Sequence, residues 1–473
     1  MGNTILGANT LSSGYDVANS ARFETNTYLA KTASSGNQRT FTVSFWCKRT
    51  AFATGAHHYP ISFYQDANNR ISFAFLSGNS FIIYAESGGS GQLTMQTNDL
   101  YRDPNAWVHV VIAFDTTQGT DSNRLKLYIN GKQITDFADI TYPTQNRDLI
   151  VNTNIYIGTY DTSNNPFHGY LAEFVYIDGL QLDATSFGEF DSDSPTIWKP
   201  KKISGLTFGN NGFYMEFKES GTSQNSSGLG ADTSGNDNHF DDSNMDAHDI
   251  TEDSPTNNYC TMNPLYKSVT GSTNQMTYKN GALRVEGGSD SSSQSTVGLA
   301  NGKWYWEVNY GQAVADRQGY PQIGVSKAGN VNNGQMVGFH TPDGTNYRGK
   351  IAGTVVANAF DGTPAQSDKI GFYLDLDNGT LIVHQNGSDF MNTGASSGLD
   401  FSSASFSPDT GFFHIHVNDN TDSTTISEFN FANPAFSISS GNTDANGYGN
   451  FEHSPTLGGT AYYAINSKNI AEF

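Results

Sequence analysis

From Phe41 onward the chain repeats one pattern. Apolar residues occupy every second position over a short run, and Gly, Asn, Asp or Pro then ends it. The runs read "FTVSFWCKR", "PISFYQ", "RISFAFL", "SFIIYAES", "QLTMQT", "WVHVVIAFD", "RLKLYING", "NIYIGTYD" and "GYLAEFVYID". Period two with turn residues between the runs predicts a succession of β-strands, and helical periodicity is nearly absent. In "WVHVVIAFD" one face carries Val108, Val110, Ile112 and Phe114, and the other Trp107, His109 and Val111. A strand apolar on both faces belongs in the middle of a sheet. A second block begins at Trp304: "WYWEVNYG", "PQIGVS", "KIGFYLDLD", "GTLIVHQNG", "GFFHIHVND", "TTISEFNF". Two runs from the two blocks are close in wording. "RLKLYINGKQI" (124–134) and "GTLIVHQNGS" (379–388) are alternating runs that stop at Asn-Gly. Asn-Gly supplies the two positive-φ residues of a tight hairpin turn.

The pattern divides the chain into an N-terminal docking segment (1–20), a first sandwich (21–197), a Ser/Asn/Asp/Gly-rich connector (198–277), a second sandwich (278–440) and a C-terminal tail (441–473). "GFYMEF" (212–217) is strand-like, so the connector reads as ordered. Ser-Pro-Thr recurs at 194–196, 254–256 and 454–456. Proline holds the residue before it extended, which suits boundary turns.

Composition agrees with an all-β chain: aromatics are 13% of the 473 residues and there are 49 glycines. The net charge of −21, with no basic block, excludes a nucleic-acid footprint and disfavours anionic membranes. It suits neutral ligands such as glycans, or cations. No apolar run reaches membrane-spanning length, so no membrane insertion is expected. "MGNTILGANTLSSGYD" lacks a basic n-region and an apolar core, so it does not read as a secretory signal. The two cysteines, Cys47 and Cys260, are distant in sequence, and Cys47 shares a face with Phe41, Val43 and Phe45, which predicts a buried thiol.

"WVHVVIAFD", "LKLYINGK", "IYIGTYD" and "FHGYLAEFVYID", in that order and spacing, resemble the laminin-G-like, concanavalin A-like sandwich. "GKWYWEV" (302–308), "IGVS" (323–326), "DKIGFYLDLDNGTLIVHQNG" (368–387) and "EFNF" (428–431) resemble a SPRY domain, itself a concanavalin A-like sandwich. These resemblances imply two antiparallel β-sandwiches of jelly-roll type joined by an ordered connector. With the connector's "DTSGNDNHF" and a tail ending "AYYAINSKNIAEF", the combination resembles tail and fibre-type structural proteins of bacteriophages. That resemblance implies a virion component assembled in the host bacterial cytoplasm. Its expected partners are other virion proteins, further copies of itself (a trimer above all) and a bacterial surface glycan. No heptad stalk is present, so oligomerisation would run through sandwich faces or the connector. Two other classes fit the same architecture: a capsid or tail decoration without a receptor, and a polysaccharide depolymerase with an unfamiliar active site.

The candidate chemistry is sparse. The Glu-x-Asp-x-(x)-Glu strand of the superfamily's glucanases is missing, and no Gly-x-Ser-x-Gly elbow occurs. Asp375 and Asp377 share a strand face about 7 Å apart, but no glutamate joins them as an acid–base partner. The chain therefore reads as a non-enzyme that requires no cofactor. His414 and His416 share a face and have the spacing of a transition-metal pair. Asp115, Asp121 and Asp161 fall in rim loops, where laminin-G-like domains hold calcium. Trp304 and Trp306 alternate inward with Val308 and read as core. For ligand contact the loop aromatics lead: Tyr320, and Tyr347 with Arg348 in "DGTNYRGK". An exposed ring can stack on a sugar while polar neighbours take its hydroxyls.

Overall fold

In the computed structural model the described residues are 14–52, 55–162, 165–266, 276–287, 291–311, 322–328, 336–340, 348–362, 364–392, 397–403, 406, 411–419 and 426–472. They are all-β in character, and they form two compact units that meet in sequence between Asn258 and Tyr259.

The first unit is a sandwich of two antiparallel sheets. One runs Lys132–Ile134, Leu125–Ile129, Trp107–Asp115, Thr40–Arg49, Gly169–Asp178, Ser20–Phe23 and Ile250–Thr251, with Phe213–Met215 also paired to Gly169–Asp178. The other runs Phe137–Thr141, Ser90–Leu100, Ser80–Ser87, Asn69–Phe75, His58–Asp66, Asn154–Ile157, Tyr28–Thr32 and Asp241–Ser243. Between them pack Phe41, Phe45, Phe63, Phe73, Phe114 and Phe174, with Phe41 stacked on Phe114 at 4.5 Å between ring centres. Trp107–Asp115 lies mid-sheet, as its two apolar faces predict. Its second face joins a smaller core with Trp46, Tyr170 and Trp198. His109 belongs there too. It stacks on Trp46 at 4.7 Å, accepts from Trp198 Nε1 at Nδ1 (2.9 Å) and donates from Nε2 to Ser44 Oγ (2.9 Å). Burial pushes its pKa down to about 3, so it is a neutral structural histidine.

The Asn-Gly turns fold as expected. Asn130 and Gly131 have φ of 46° and 77°, and Asn386 and Gly387 have 50° and 76°. At Gly131 a Cβ would also come within 2.2 Å of the Trp198 ring, so any larger residue is excluded twice over.

The division into units departs from the expected connector at 198–277. Residues 198–258 are part of the first sandwich, because Phe213–Met215 and Ile250–Thr251 extend one sheet and Asp241–Ser243 extends the other. The described part of the expected docking segment is packed as well: Val17 is buried and its N–H donates to Thr256 Oγ1 at 2.9 Å. The anchor of the folded-back stretch is a buried ion pair. Lys48 Nζ lies 2.6 Å from Asp253 Oδ2, and both side chains are fully buried. Lys48 also donates to Asn258 Oδ1 (2.8 Å), and Trp107 Nε1 donates to Asp253 Oδ1 (3.2 Å).

The second unit repeats the two-sheet plan. One sheet runs Thr277–Lys279, Arg284–Glu286, Ile426–Asn430, Lys303–Tyr310, Lys369–Asp375, Thr380–Gln385 and Ser388–Asp389. The other runs Ser291–Gln294, Phe413–Asp419, Gln322–Lys327, Met336–His340, Arg348–Ile351 and Thr354–Val356. Trp304 and Trp306 are core, the latter stacked on Phe372 at 4.9 Å. The stretch read as a tail is integral to this unit. Glu307, fully buried, accepts from Glu452 N (3.0 Å), His453 N (2.7 Å), Tyr305 Oη (2.9 Å) and Asn430 Nδ2 (3.0 Å). Cys260 N donates to Ile465 O, binding the start of the unit to its end.

Removing one partner of a buried ion pair strands the other charge in a low dielectric. Asp253→Ala is expected to destabilise the first unit by about 3–5 kcal/mol, and joint replacement of Lys48 and Asp253 by apolar residues to recover most of that loss. Denaturant unfolding of the single and double variants checks it.

Candidate functional site

The second sheet of the first unit has one face in the core and one facing away. Alternation puts Ile61, Phe63, Ile71, Phe73, Ile83 and Ala85 inside. The intervening positions then carry Tyr64, Arg70, Tyr84 and Glu86, and on the neighbouring strands Tyr156 and Tyr28. Register aligns them across the sheet: Tyr64 is opposite Arg70, Arg70 opposite Glu86, and Asn154 opposite Tyr64. A row of charged, aromatic and amide side chains therefore crosses four strands.

Arg70 is the centre of this row. Its Nη2 lies 2.6 Å from Glu86 Oε2, and its guanidinium carbon lies 5.6 Å from the Tyr84 ring centre and 5.8 Å from that of Tyr160. Tyr160 follows the strand Asn154–Ile157 and lies over the sheet, its carbonyl accepting from Ser62 Oγ at 2.5 Å. Its ring is 4.8 Å from Tyr59 and 5.1 Å from Tyr64. Tyr28 and Tyr156 meet edge to face at 6.1 Å. Burial pushes the Tyr160 phenol up to about 12, so it stays a neutral donor and acceptor. Most of these rings are half-buried, so they are held in place yet remain reachable. Such a face offers flat apolar surfaces beside a guanidinium, a carboxylate and several hydroxyls, the equipment for gripping a polyhydroxylated, uncharged ligand.

The residues expected from sequence fall elsewhere. Tyr320 and Tyr347 lie outside the described residues. Arg348 opens the strand Arg348–Ile351 and is half-buried. His414 and His416 do share a face of the strand Phe413–Asp419, opposite Phe413, Ile415 and Val417, which enter the core, and His414 is half-buried. His416 is fully buried with Nδ1 3.1 Å from Ser326 Oγ, and His414 Nδ1 is 2.9 Å from Ser295 O. Burial pushes His416 down to about 3, so it is neutral. Asp115 ends Trp107–Asp115, and its carboxylate accepts from Thr117 N, Thr117 Oγ1 and Gln118 Nε2. Partial burial opposes ionisation of Asp115, but those hydrogen bonds outweigh it and hold the carboxyl below its ordinary range. Asp121 pairs with Arg124 at 2.9 Å. Asp161, half-buried, follows Tyr160 on the other sheet. Among the described residues no three His, Cys, Asp or Glu side chains are grouped so as to hold a metal ion. Asp375 ends the strand Lys369–Asp375 while Asp377 lies in the turn after it, so the two do not share a strand face as expected, and both pair with Lys303, at 2.8 and 3.2 Å.

The tyrosine row was within reach of sequence reasoning. In "SFYQ", "SFIIYAES" and "NIYIGTYD" the alternation that puts Phe63, Ile83 and Ile155 inside places Tyr64, Tyr84 and Tyr156 outside.

Residues 23–180 match the family model Laminin_G_3, described as concanavalin A-like lectin/glucanases superfamily. The matched residues fall within the first sandwich and support a laminin-G-like domain there. None of the curated proteins matches the chain. Among solved structures the chain is similar to native heptameric SAP-like pentraxin from Limulus polyphemus, at 15% identity over 36% of this chain and 80% of that one, TM-score 0.27. It is similar to the SPRY domain of human HERC1, at 15% identity over 33% and 91%, TM-score 0.26. It is also similar to domain 4 of AbnA, a GH43 extracellular arabinanase from Geobacillus stearothermophilus, in complex with arabinotriose, at 18% identity over 31% and 64%, TM-score 0.24.

Because Asp115 and Asp121 are satisfied by protein groups, the thermal unfolding midpoint of the chain is expected to be the same with and without a chelator. A fall on chelation would return a cation to these loops.

Proposed function

We propose that this chain is a structural protein of a bacteriophage virion, a tail fibre or similar appendage, that binds a bacterial surface glycan without cleaving it. The binding surface in this reading is the tyrosine row of the laminin-G-like domain. The observation that carries it is the arrangement around Arg70, where two tyrosine rings flank a guanidinium already paired with Glu86. The match of residues 23–180 to a superfamily that includes lectins supports it. So does the charge of −21, which favours neutral over anionic ligands. The virion setting rests on the resemblance of the whole domain string to phage tail proteins. Its partners in this account are other virion proteins and further copies of the chain, as a trimer. Contact with the glycan requires no cofactor, and calcium is the cation a rim loop would take.

Each stacked ring contributes about 1 kcal/mol, so Tyr64→Ala with Tyr160→Ala is expected to weaken binding to purified host surface polysaccharide roughly 30-fold. The polysaccharide should emerge with no new reducing ends. Undiminished binding by the double variant would overturn the assignment of the surface. Release of reducing ends would favour a depolymerase. The absence of any glycan signal for the unaltered chain would favour a decoration protein.

A further inference from the structure

The strand Gly169–Asp178 is interrupted where its register against Thr40–Arg49 shifts between Ala172 and Val175. Leu171 and Phe174 point into the main core, and Ala172 and Val175 into the smaller one. Glu173 is the extra residue, and its φ of 48° is left-handed, a conformation costly for a side chain bearing a Cβ. Strict alternation from Leu171 would have driven its carboxyl into the main core. The bulge turns it away instead, as bulges that re-aim a side chain do.

The carboxyl emerges at a cavity of about 320 Å³. Tyr214 Oη donates to its Oε2 at 2.6 Å, and Tyr15 Oη donates to Oε1 at 3.3 Å. Among the described residues no cation pairs with Glu173. The charged group that acts on it most is Glu216, of the same sign. Glu216 already holds Lys218 at 2.9 Å, while Asp16 and Lys202 complete the charged lining. Burial, with Glu216 adding to it, pushes the Glu173 carboxyl up to about 7. Burial likewise pushes the Tyr15 phenol up to about 12 and that of Tyr214 further, so both remain donors. Among the described residues this buried carboxyl has fixed donors, an adjoining void and no counter-ion, which are the parts of a cation receptor.

We infer that this cavity binds a primary ammonium group, with Glu173 as its counter-ion and Tyr15 and Tyr214 holding the carboxylate in place. On binding, the proton of Glu173 leaves to solvent and the ligand's N–H groups take over its carboxylate oxygens. No covalent bond changes. The ammonium could be carried by an amino sugar or by a lysine side chain. The site is on the opposite sheet from the tyrosine row and does not depend on that reading.

Linkage fixes the sign. Below pH about 7 the ligand must displace a proton, so affinity rises up to tenfold per pH unit and levels off above that value. The test is calorimetric titration of the full chain. One arm uses Nα-acetyl-lysine amide between pH 5.5 and about 7, a range where the lysine ammonium stays charged, with propanol as the uncharged control. The other uses a deacetylated chitooligosaccharide at one fixed pH, because amino-sugar amines titrate within that range. Binding of the lysine amide that strengthens with pH, or binding of the chitooligosaccharide, either one lost in Glu173→Gln, supports the site and names the source. Failure of both arms, a lysine-amide affinity flat or falling with pH, or full retention in Glu173→Gln overturns it. Should Glu173→Gln fail to fold, the pH series on the unaltered chain decides alone, and Tyr15→Phe should weaken binding several-fold.

Discussion

A lysine and an aspartate fully removed from water hold the first domain to its shape. Lys48 belongs to a central strand and Asp253 to a stretch of chain more than 200 residues later. Neither charge is tolerable in the interior alone. The strand Thr40–Arg49 can therefore reach its native burial only when the segment around Asp253 has returned to it. Asn258 and Trp107 complete the coordination of the pair, and Ser20 Oγ donates to Asp253 O at 2.5 Å. The start of the sandwich, its middle and its last segment converge on one polar knot. Such a knot contributes less to net stability than to specificity, because only one chain path satisfies every donor in it.

That constraint reaches the proposed glycan surface through the sheet. The returning segment supplies Asp241–Ser243, which pairs with Tyr28–Thr32, and that strand in turn pairs with Asn154–Ile157. Tyr28 and Tyr156 stand on those two strands, and Tyr160 follows the second. The edge that carries half of the tyrosine row is thus buttressed by residues from the stretch whose composition looked least structured. The same segment brings Tyr214 to Glu173, so both sites in this unit depend on it.

Much of the fold was legible because alternation reports burial directly. Trp107–Asp115, the two Asn-Gly turns and the Trp304–Trp306 core follow from period two and positive-φ chemistry. The misreadings have physical reasons. Residues 198–258 are rich in Ser, Asn, Asp and Gly, which in isolation signal solvated linker. Here Asn211, Asp253 and Asn258 are buried and spend those polar groups on backbone and charge partners. Strands as short as Phe213–Met215 hold too few residues to display a period. Alternation placed His414 and His416 on one face correctly but could not say that His416 is fully buried there and His414 half-buried. The tyrosine row is less legible because ligand-contacting rings are expected in loops, whereas these stand on outward positions of regular strands.

Hydrogen exchange of the intact chain tests the account most directly. If the buried pair makes 250–258 part of the sandwich, its hydrogen-bonded amides exchange as slowly as those of Thr40–Arg49, and both accelerate together in Asp253→Ala. Free exchange of 250–258 beside a fully protected Thr40–Arg49 would contradict it.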